Sequence, residues 1–489
     1  MDKHSVKTYD NLSKTHSSNS KISPKVPKES FSPRFQLQRT VGNRAFTQIM
    51  GGAIQRMPTR NNIVGTLGKP HRDVKLFGFA GPTLKENSTK YKTTLDEVDG
   101  YHTYINNTAA GNSRADVIDR LGQVLTRMDR IIAACDAYQG EEGDKAEYFL
   151  RMKIQVQNEK TTAVSDMMGY AGRINSIPQF VRSQTRISGV LRSQPGPLDT
   201  NEGNFVRNVG GGINELAMYQ SGQDSSFFKK NVNQINAPED MNPDNPMTTA
   251  TYTAQDAGID TDDVRSANRD VATYRLDQLL SANVTARTQF ALRNINGGTQ
   301  LGSLMEGAKG ERAGDLGKQD RIKNTSNHGN NEITTQDPNL MRQLSKLQLL
   351  DALTGQIDRN EGNYFIQFDR AGNVLRVTAI DNDASFGTRD QVSGQFREYP
   401  GFSKYVDKEM ATAITTIPNA LFQLILSDLL TPNEFAAFME RLLKLKTLLV
   451  SNTTRLLDPN EWDQAVQKGL LQEQMSFTAR IGQAGWDGN

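Results

Sequence analysis

"LQLLDALTGQIDRNEGNYFIQFDRAGNVLRVTAIDNDASFG", residues 347–387, places two acidic clusters on either side of a hairpin pattern. The runs NYFIQF and VLRVTAI flank AGN, so β-forming residues around a glycine turn predict strand, turn and strand, with Asp381 delivered to a strand end. Upstream, Leu340, Leu344, Leu347, Leu350 and Leu353 fall on one helical stripe, which predicts a core helix entering the stretch. Between helix and hairpin comes Asp358-Arg359-Asn360-Glu361-Gly362-Asn363, a carboxylate followed five positions later by an amide. Taken singly, Asp and Asn are ordinary turn residues. The succession of helix, loop, hairpin and acidic strand end asks for a chemical explanation.

Phosphoryl transfer supplies one. Its loose transition state is stabilised chiefly by positioning and by charge neutralisation around magnesium-bound phosphates, so the protein need contribute few groups. A carboxylate serves the acceptor hydroxyl, an Asn five positions on holds a metal, and a second Asp after the next hairpin completes the metal contacts. D-x-x-x-x-N followed by "AIDNDASFG" has that spacing.

Composition narrows the alternatives. The 489 residues leave room for roughly two to four domains. A net charge of +2 gives no global field of the kind a dedicated nucleic-acid binder carries, so no nucleic-acid partner is expected. Cys135 is the single cysteine, which excludes an intrachain disulfide and a paired-thiolate zinc site. His4, His16, His71, His102 and His328 lack ligand spacing. No apolar run reaches the eighteen or so residues of a spanning helix; the stretch Ala411–Leu426 is broken by Thr, Asn, Gln and Pro418, so no transmembrane segment is expected. The N-terminal residues carry no apolar core of a secretory leader.

Along the chain, residues 1–72 are rich in Ser, Lys, Asn, Pro and Gly and poor in large apolar side chains, a composition that predicts a disordered basic tail. Inside it, "LQRTVGNRAFTQIMGGAIQR", residues 37–56, spaces Leu37, Val41, Ala45, Phe46 and Ile49 as a short amphipathic helix. Residues 73–180 read as a helical spacer without chemistry, on the pattern of "VIDRLGQVLTRMDRIIAACDAY". From 181 to 489 short strands, glycine turns and helices alternate, an α+β pattern. Near its end Thr431, Pro432 and Glu434 spell an N-cap, a first helical residue and a capping box.

Two resemblances sharpen this reading. Leu37-Gln38-Arg39, Gly42-Asn43 and Ala45 resemble the LQR-x-x-GN-x-A motif of proteins associated with extracellular contractile injection systems, with Phe46 where a small aliphatic is usual. The resemblance implies cargo that is made in a bacterial cytoplasm, packaged on the tube or baseplate of an extracellular injection particle, and released into a recipient-cell cytosol. "IDRNEGNYFI" and "AIDNDASFG" resemble the catalytic loop and metal-binding segment of type II phosphatidylinositol 4-kinases and secretory-pathway protein kinases, members of the atypical, phosphatidylinositol 3/4-kinase-like group. Asn360 stands where many relatives have histidine, and Asp383 where they have glycine.

Carried onto this chain, the kinase resemblance implies Asp358 as the catalytic aspartate, Asn363 as a magnesium ligand and Asp381 as the principal metal ligand. It also implies a second lobe upstream. "FVRNVGGGINELAMYQ" offers Gly210, Gly211 and Gly212 for phosphate contact, and "SSFFKK" resembles the family's strand lysine at Lys229, with Lys230 the alternative. "RSANRDVATYRLDQLL" puts Asp270 where the family has the glutamate that pairs with that lysine, and "GSLMEGAKG" brings Met305 and Glu306 near the adenine. The expectation is a bilobal, protein-kinase-like α+β domain, N-lobe about 200–305 and C-lobe about 306–489, preceded by the spacer and the tail. Its cofactors would be ATP and Mg2+, and its substrate a host protein or a phosphoinositide. An AMP-transferring relative and a non-enzymatic tether of the particle are the alternatives.

Overall fold

The structure, a computed structural model, describes residues 114–137, 144–171, 198–200, 202–209, 216–238, 246–295, 298–318, 322–323, 333–334, 337–360, 362–389, 405–451 and 454–463. The basic tail, its 37–56 segment and Gly210, Gly211 and Gly212 lie outside the described residues.

Two helices come first, α1 (Arg114–Asp136) and α2 (Asp144–Ala171). On α1 the residues Leu121, Val124, Leu125, Met128, Ile131 and Ile132 recur three and four apart and are buried, so one apolar stripe faces the partners of this helix. α2 has no such simple stripe, because it is covered on several sides: Gln155, Gln157, Asn158, Glu159, Lys160 and Thr161 are all buried. Gln157, Asn158, Lys160 and Thr161 are matched by hydrogen bonds.

A five-stranded antiparallel sheet follows, in the order β1-β2-β3-β5-β4, built from β1 (Phe205–Val209), β2 (Leu216–Ser221), β3 (Asp224–Lys230), β4 (Thr288–Ile295) and β5 (Gly298–Glu306). α3 (Pro246–Ala257) and α4 (Ser266–Leu279) lie between β3 and β4 in the chain. β4 ends the order, and its edge is closed by other parts of the chain. Asn158 of α2 donates to the Phe290 carbonyl and accepts from the Phe290 N–H, both at 2.8 Å, while Leu198 and Thr200 complete backbone bonds to Leu292. The helical pair expected as a spacer thus shares a core with the sheet: one buried cluster runs from Leu121 and Val156 through Phe290, Leu344 and Phe438 to Trp462.

From β5 the chain passes through residues 307–310 into a three-stranded sheet, order β8-β7-β6, made of β6 (Glu311–Arg312), β7 (Tyr364–Phe368) and β8 (Val374–Ala379). Gly310 makes this crossing possible, since its φ is +99° and an added Cβ would stand 2.1 Å from the Ile366 carbonyl oxygen. α5 (Pro338–Thr354) precedes β7, with all five leucines of the stripe fully buried. Asp337 caps its start by accepting from Leu340 N–H, and Gly355 ends it in the left-handed conformation at φ 68°. In the hairpin turn the Asp369 carboxylate accepts from the Ala371 and Asn373 N–H groups.

The C-terminal part holds β9 (Tyr405–Asp407), α6 (Lys408–Thr416), α7 (Asn419–Leu426), α8 (Pro432–Val450) and β10 (Arg455–Leu457), with β9 and β10 paired in parallel. α8 opens on the expected capping box, Thr431 with Glu434, and Pro432 stands in its first turn. Mixed helix and sheet agrees with the α+β expectation. Among the described residues no helix is long and apolar enough to cross a membrane.

Candidate functional site

Lys229 lies near the end of β3, the middle strand of the five. A middle strand covered on both faces does not alternate, and Ser225 through Lys229 are all buried. Burying an ammonium requires counter-charges. They come from two other segments: Lys229 Nζ is 2.5 Å from Asp381 Oδ1, 2.8 Å from Asp383 Oδ2 and 3.9 Å from Asp270 Oδ2. Burial alone would lower the lysine pKa, but these three carboxylates raise it well above its ordinary value, so the ammonium stays charged. Lys230, the next residue, is only partly buried.

Asp270 is fully buried on α4. Its Oδ2 accepts from Ser303 Oγ at 3.0 Å and its Oδ1 from the Asn382 N–H at 3.1 Å, so one side chain joins α4, β5 and the acidic loop. Burial pushes its carboxyl up to about 7, reinforced by Asp383 and Asp381 and opposed by Lys229.

The acidic loop leaves β8 at Ala379 and turns at Asp381, whose φ of 58° is left-handed. Aspartate tolerates that region better than most side chains, though still at some strain. Three hydrogen bonds hold the turn: Ile380 N–H to the Asn363 carbonyl at 2.9 Å, Gln356 Nε2 to the Asp381 carbonyl at 3.1 Å, and Asn382 N–H to Asp270. Lys229, though burial works against it, holds the Asp381 carboxyl below the usual range, and that side chain is 42% exposed to the cleft.

The 355–363 loop is built around Arg359, which is fully buried. Its guanidinium forks onto both oxygens of Asp351 at 3.0 and 3.1 Å, donates to the Asn363 and Ile380 carbonyls at 3.0 and 2.7 Å, and reaches Asn382 Oδ1 at 2.5 Å. The loop thereby carries Asp358 and Asn363 to the same cleft as Asp381. Asn363 Nδ2 donates to the Asp358 carbonyl at 2.7 Å and to Asp358 Oδ2 at 3.3 Å, which leaves the amide oxygen as the group that can face a cation. Asp358 is raised to about 6 by burial first, then by Asp381 and Asp383.

Of the residues singled out in the sequence, Lys229, Asp270, Asp358, Asn363 and Asp381 are thus brought together. Met305 and Glu306 stand at the end of β5, opposite Phe227 and Ser226 of β3. The charged neighbours of Glu306 are Arg376, Arg287, Lys309 and Asp224, not the carboxylates around Lys229. The glycine triplet lies outside the described residues. The sequence reading passed over Arg359, Gln356 and Asp351, and took Asp383 only as a departure from a family glycine. The signal available for Asp383 is its place two residues after Asp381.

The donors that face the cleft are oxygens, with one buried ammonium among them. Among the described residues no three His, Cys, Asp or Glu side chains form a ready metal cage. Magnesium does not call for one, because it usually binds through one or two carboxylates together with substrate phosphates and water. A cavity of about 380 Å³ adjoins Asp358, Asp381 and Asp383. The chain matches no protein-family model and no curated protein.

Proposed function

We propose that the chain is an ATP-dependent phosphotransferase of bilobal, atypical-kinase-like architecture, an effector that moves the γ-phosphoryl group of ATP to a hydroxyl of a target-cell protein or phosphoinositide. What carries the reading is one arrangement: the Lys229 ammonium of the five-stranded sheet lies within 3.9 Å of Asp270, Asp381 and Asp383, with the bonded pair Asp358 and Asn363 beside them. Four separate chain segments supply these groups. Their convergence on one buried lysine at the side of a cavity supports a shared task.

In this reading the five-stranded sheet and α4 are the N-lobe, and the three-stranded sheet with α5 to α8 the C-lobe. Asp381 and the Asn363 amide oxygen, with Asp383 next to them, would hold magnesium, which when bound neutralises phosphate charge. Lys229 contacts the phosphates and Asp270 holds Lys229 from the helix. Asp358 orients the acceptor hydroxyl and takes its proton. Met305 and Glu306 flank the adenine, beside the apolar group Val209, Phe227, Ala308 and Phe365 with Leu216, Met218 and Ile380 at its edge.

Calorimetric titration with ATP tests it. Binding should depend on magnesium and be lost in Asp381→Ala while circular dichroism stays unchanged. Binding indifferent to that substitution refutes the site and favours a tether. The mass added to a modified target separates the chemistries, a lone phosphoryl group supporting phosphorylation and a whole nucleotide supporting AMP transfer. Delivery through residues 37–56 is a further part of the proposal: removal of residues 1–72 should abolish co-purification with the injection particle.

A further inference from the structure

The cleft beside Asp358 has a second wall that the phosphoryl-transfer groups do not use. Besides Asp358, Asp381 and Asp383, the cavity of about 380 Å³ is lined by Val232, Ile235, Ala250, Ala254, Ile259 and Val264. These residues belong to a small apolar cluster of their own, separate from the main core. Val232 and Ala250 are only partly buried in it, so apolar surface stays open toward the carboxylates. Thr249 and Thr253 on α3 and Ser266 on α4 add hydroxyl groups to the lining.

Next in the chain to the lining residues Ala254, Ile259 and Val264, the described charges are mostly negative. The end of α3 and the loop after it carry Asp256, Asp260, Asp262 and Asp263, all exposed. Their cationic neighbours are Arg389, 3.4 Å from Asp256, and Arg265, 3.1 Å from Asp263, and Arg265 also serves Glu434 at 3.1 Å. Among the described residues these four carboxylates meet two guanidinium groups, and the floor adds Asp358, Asp381 and Asp383, the last two paired with Lys229. A polyanionic head group entering here meets like charge at the rim and, on the floor, at Asp358. A lysine or arginine meets opposite charge at the rim and can lay its methylene stem along the apolar wall.

We propose that this cleft takes the acceptor, and that the acceptor is a polypeptide segment bearing a hydroxyl residue next to an apolar side chain and flanked by lysine or arginine. The inference rests on the phosphotransferase reading and narrows its substrate to protein. The apolar residue fills the α3 side, the basic flanks lie on the aspartate rim, and the hydroxyl faces Asp358.

The test uses the full chain and three fluorescein-labelled peptide pools. Each pool has Ser, Thr or Tyr at its centre with Leu beside it, and flanks of Lys and Arg, of Gln, or of Glu. Anisotropy is read with magnesium and a non-hydrolysable ATP analogue. The basic pool should bind at least tenfold tighter than the Glu pool, and the margin should shrink in 0.5 M salt, where the Debye length is only about 4 Å. Asp262→Lys with Asp263→Lys should reverse the preference, and Ala250→Phe should weaken all three pools at least tenfold. The wild-type ranking decides the matter even if a variant fails to fold. Equal binding of the pools, or preference for phosphoinositide-containing vesicles over every pool, overturns the acceptor assignment. Calorimetry with Mg-ATP keeps the two levels apart: nucleotide binding without a pool preference removes the acceptor assignment alone, and absence of nucleotide binding removes both.

Discussion

Arg359 does more for the candidate site than any residue whose role the sequence suggested. It is fully buried, it forks onto Asp351, and it holds the carbonyls of Asn363 and Ile380 and the side chain of Asn382. Both acidic segments hang on that one guanidinium. Replacing it by Ala leaves Asp351 buried and uncompensated, so Arg359→Ala should cost about 3–5 kcal/mol in urea unfolding. Replacing both partners by apolar groups, Arg359→Met with Asp351→Leu, should recover much of that loss, because no buried charge is then orphaned. A double variant no more stable than the single one would show that the carbonyl contacts, and not the ion pair, set the cost. Sequence spacing could point to Asp358, Asn363 and Asp381 because their chemistry depends on side chains at fixed separations along one stretch. It was blind to Arg359, whose partners are mostly backbone carbonyls and a loop amide that only the folded chain brings within reach. For Lys229 and Asp270 the spacing held no information, and placing them rested on resemblance alone.

At the scale of elements, what could be read was whatever a short local pattern decides. The leucine stripe of α5 and the capping box of α8 are local patterns, and both are found as expected. α4 could not be read from periodicity, since it is covered all round and buries Arg269, Asp270, Arg275 and Asp277 as well as its apolar residues. Asp277 makes this burial measurable. Its carboxylate accepts from the Val284 N–H at 2.8 Å and from Gln278 Nε2 at 2.9 Å, yet burial outweighs these bonds and pushes it up to about 6, from an ordinary value of 3.8. A carboxyl that holds its proton more tightly when folded stabilises the fold at low pH, and the gain disappears as pH rises from about 4 to about 6. Asp277→Asn keeps an acceptor for Val284 and cannot ionise. Relative to this variant, the wild type should lose up to about 3 kcal/mol of stability between pH 4 and pH 7, as read from urea midpoints. A difference between the two that stays constant with pH would mean that Asp277 is already ionised in the fold.

For the whole molecule, the decisive matter is how the α1–α2 pair is joined to the rest, because periodicity reveals a buried stripe but not what buries it. Lys160 of α2 is fully buried, pairs with Asp129 of α1, and lies 2.8 Å from Asp428 just after α7. Arg275 of α4 meets the same Asp428 at 2.7 Å and bonds to Thr161 Oγ1 and the Gln157 carbonyl of α2, each at 2.8 Å. Although burial alone would raise Asp428, Arg275 and Lys160 hold it well below the usual carboxylate range, which marks a fully engaged ion cluster. Three helices and the segment after α7 therefore meet at one carboxylate. Asp428→Ala leaves buried Arg275 without its carboxylate and Lys160 with Asp129 alone, and should cost about 3–5 kcal/mol. A detachable spacer predicts otherwise: a chain starting at residue 198 would keep the melting cooperativity of the full protein. The shared core predicts that this fragment loses it. Without α2 the Phe290 backbone loses both bonds to Asn158, β4 becomes an open edge, and Leu276, Leu279 and Phe290 lose the apolar partners of the helical pair. The fragment should therefore bind a hydrophobic dye, lose its near-ultraviolet circular dichroism and associate on standing. A soluble monomeric fragment with a sharp thermal transition would separate the helical pair from the fold and restore the spacer.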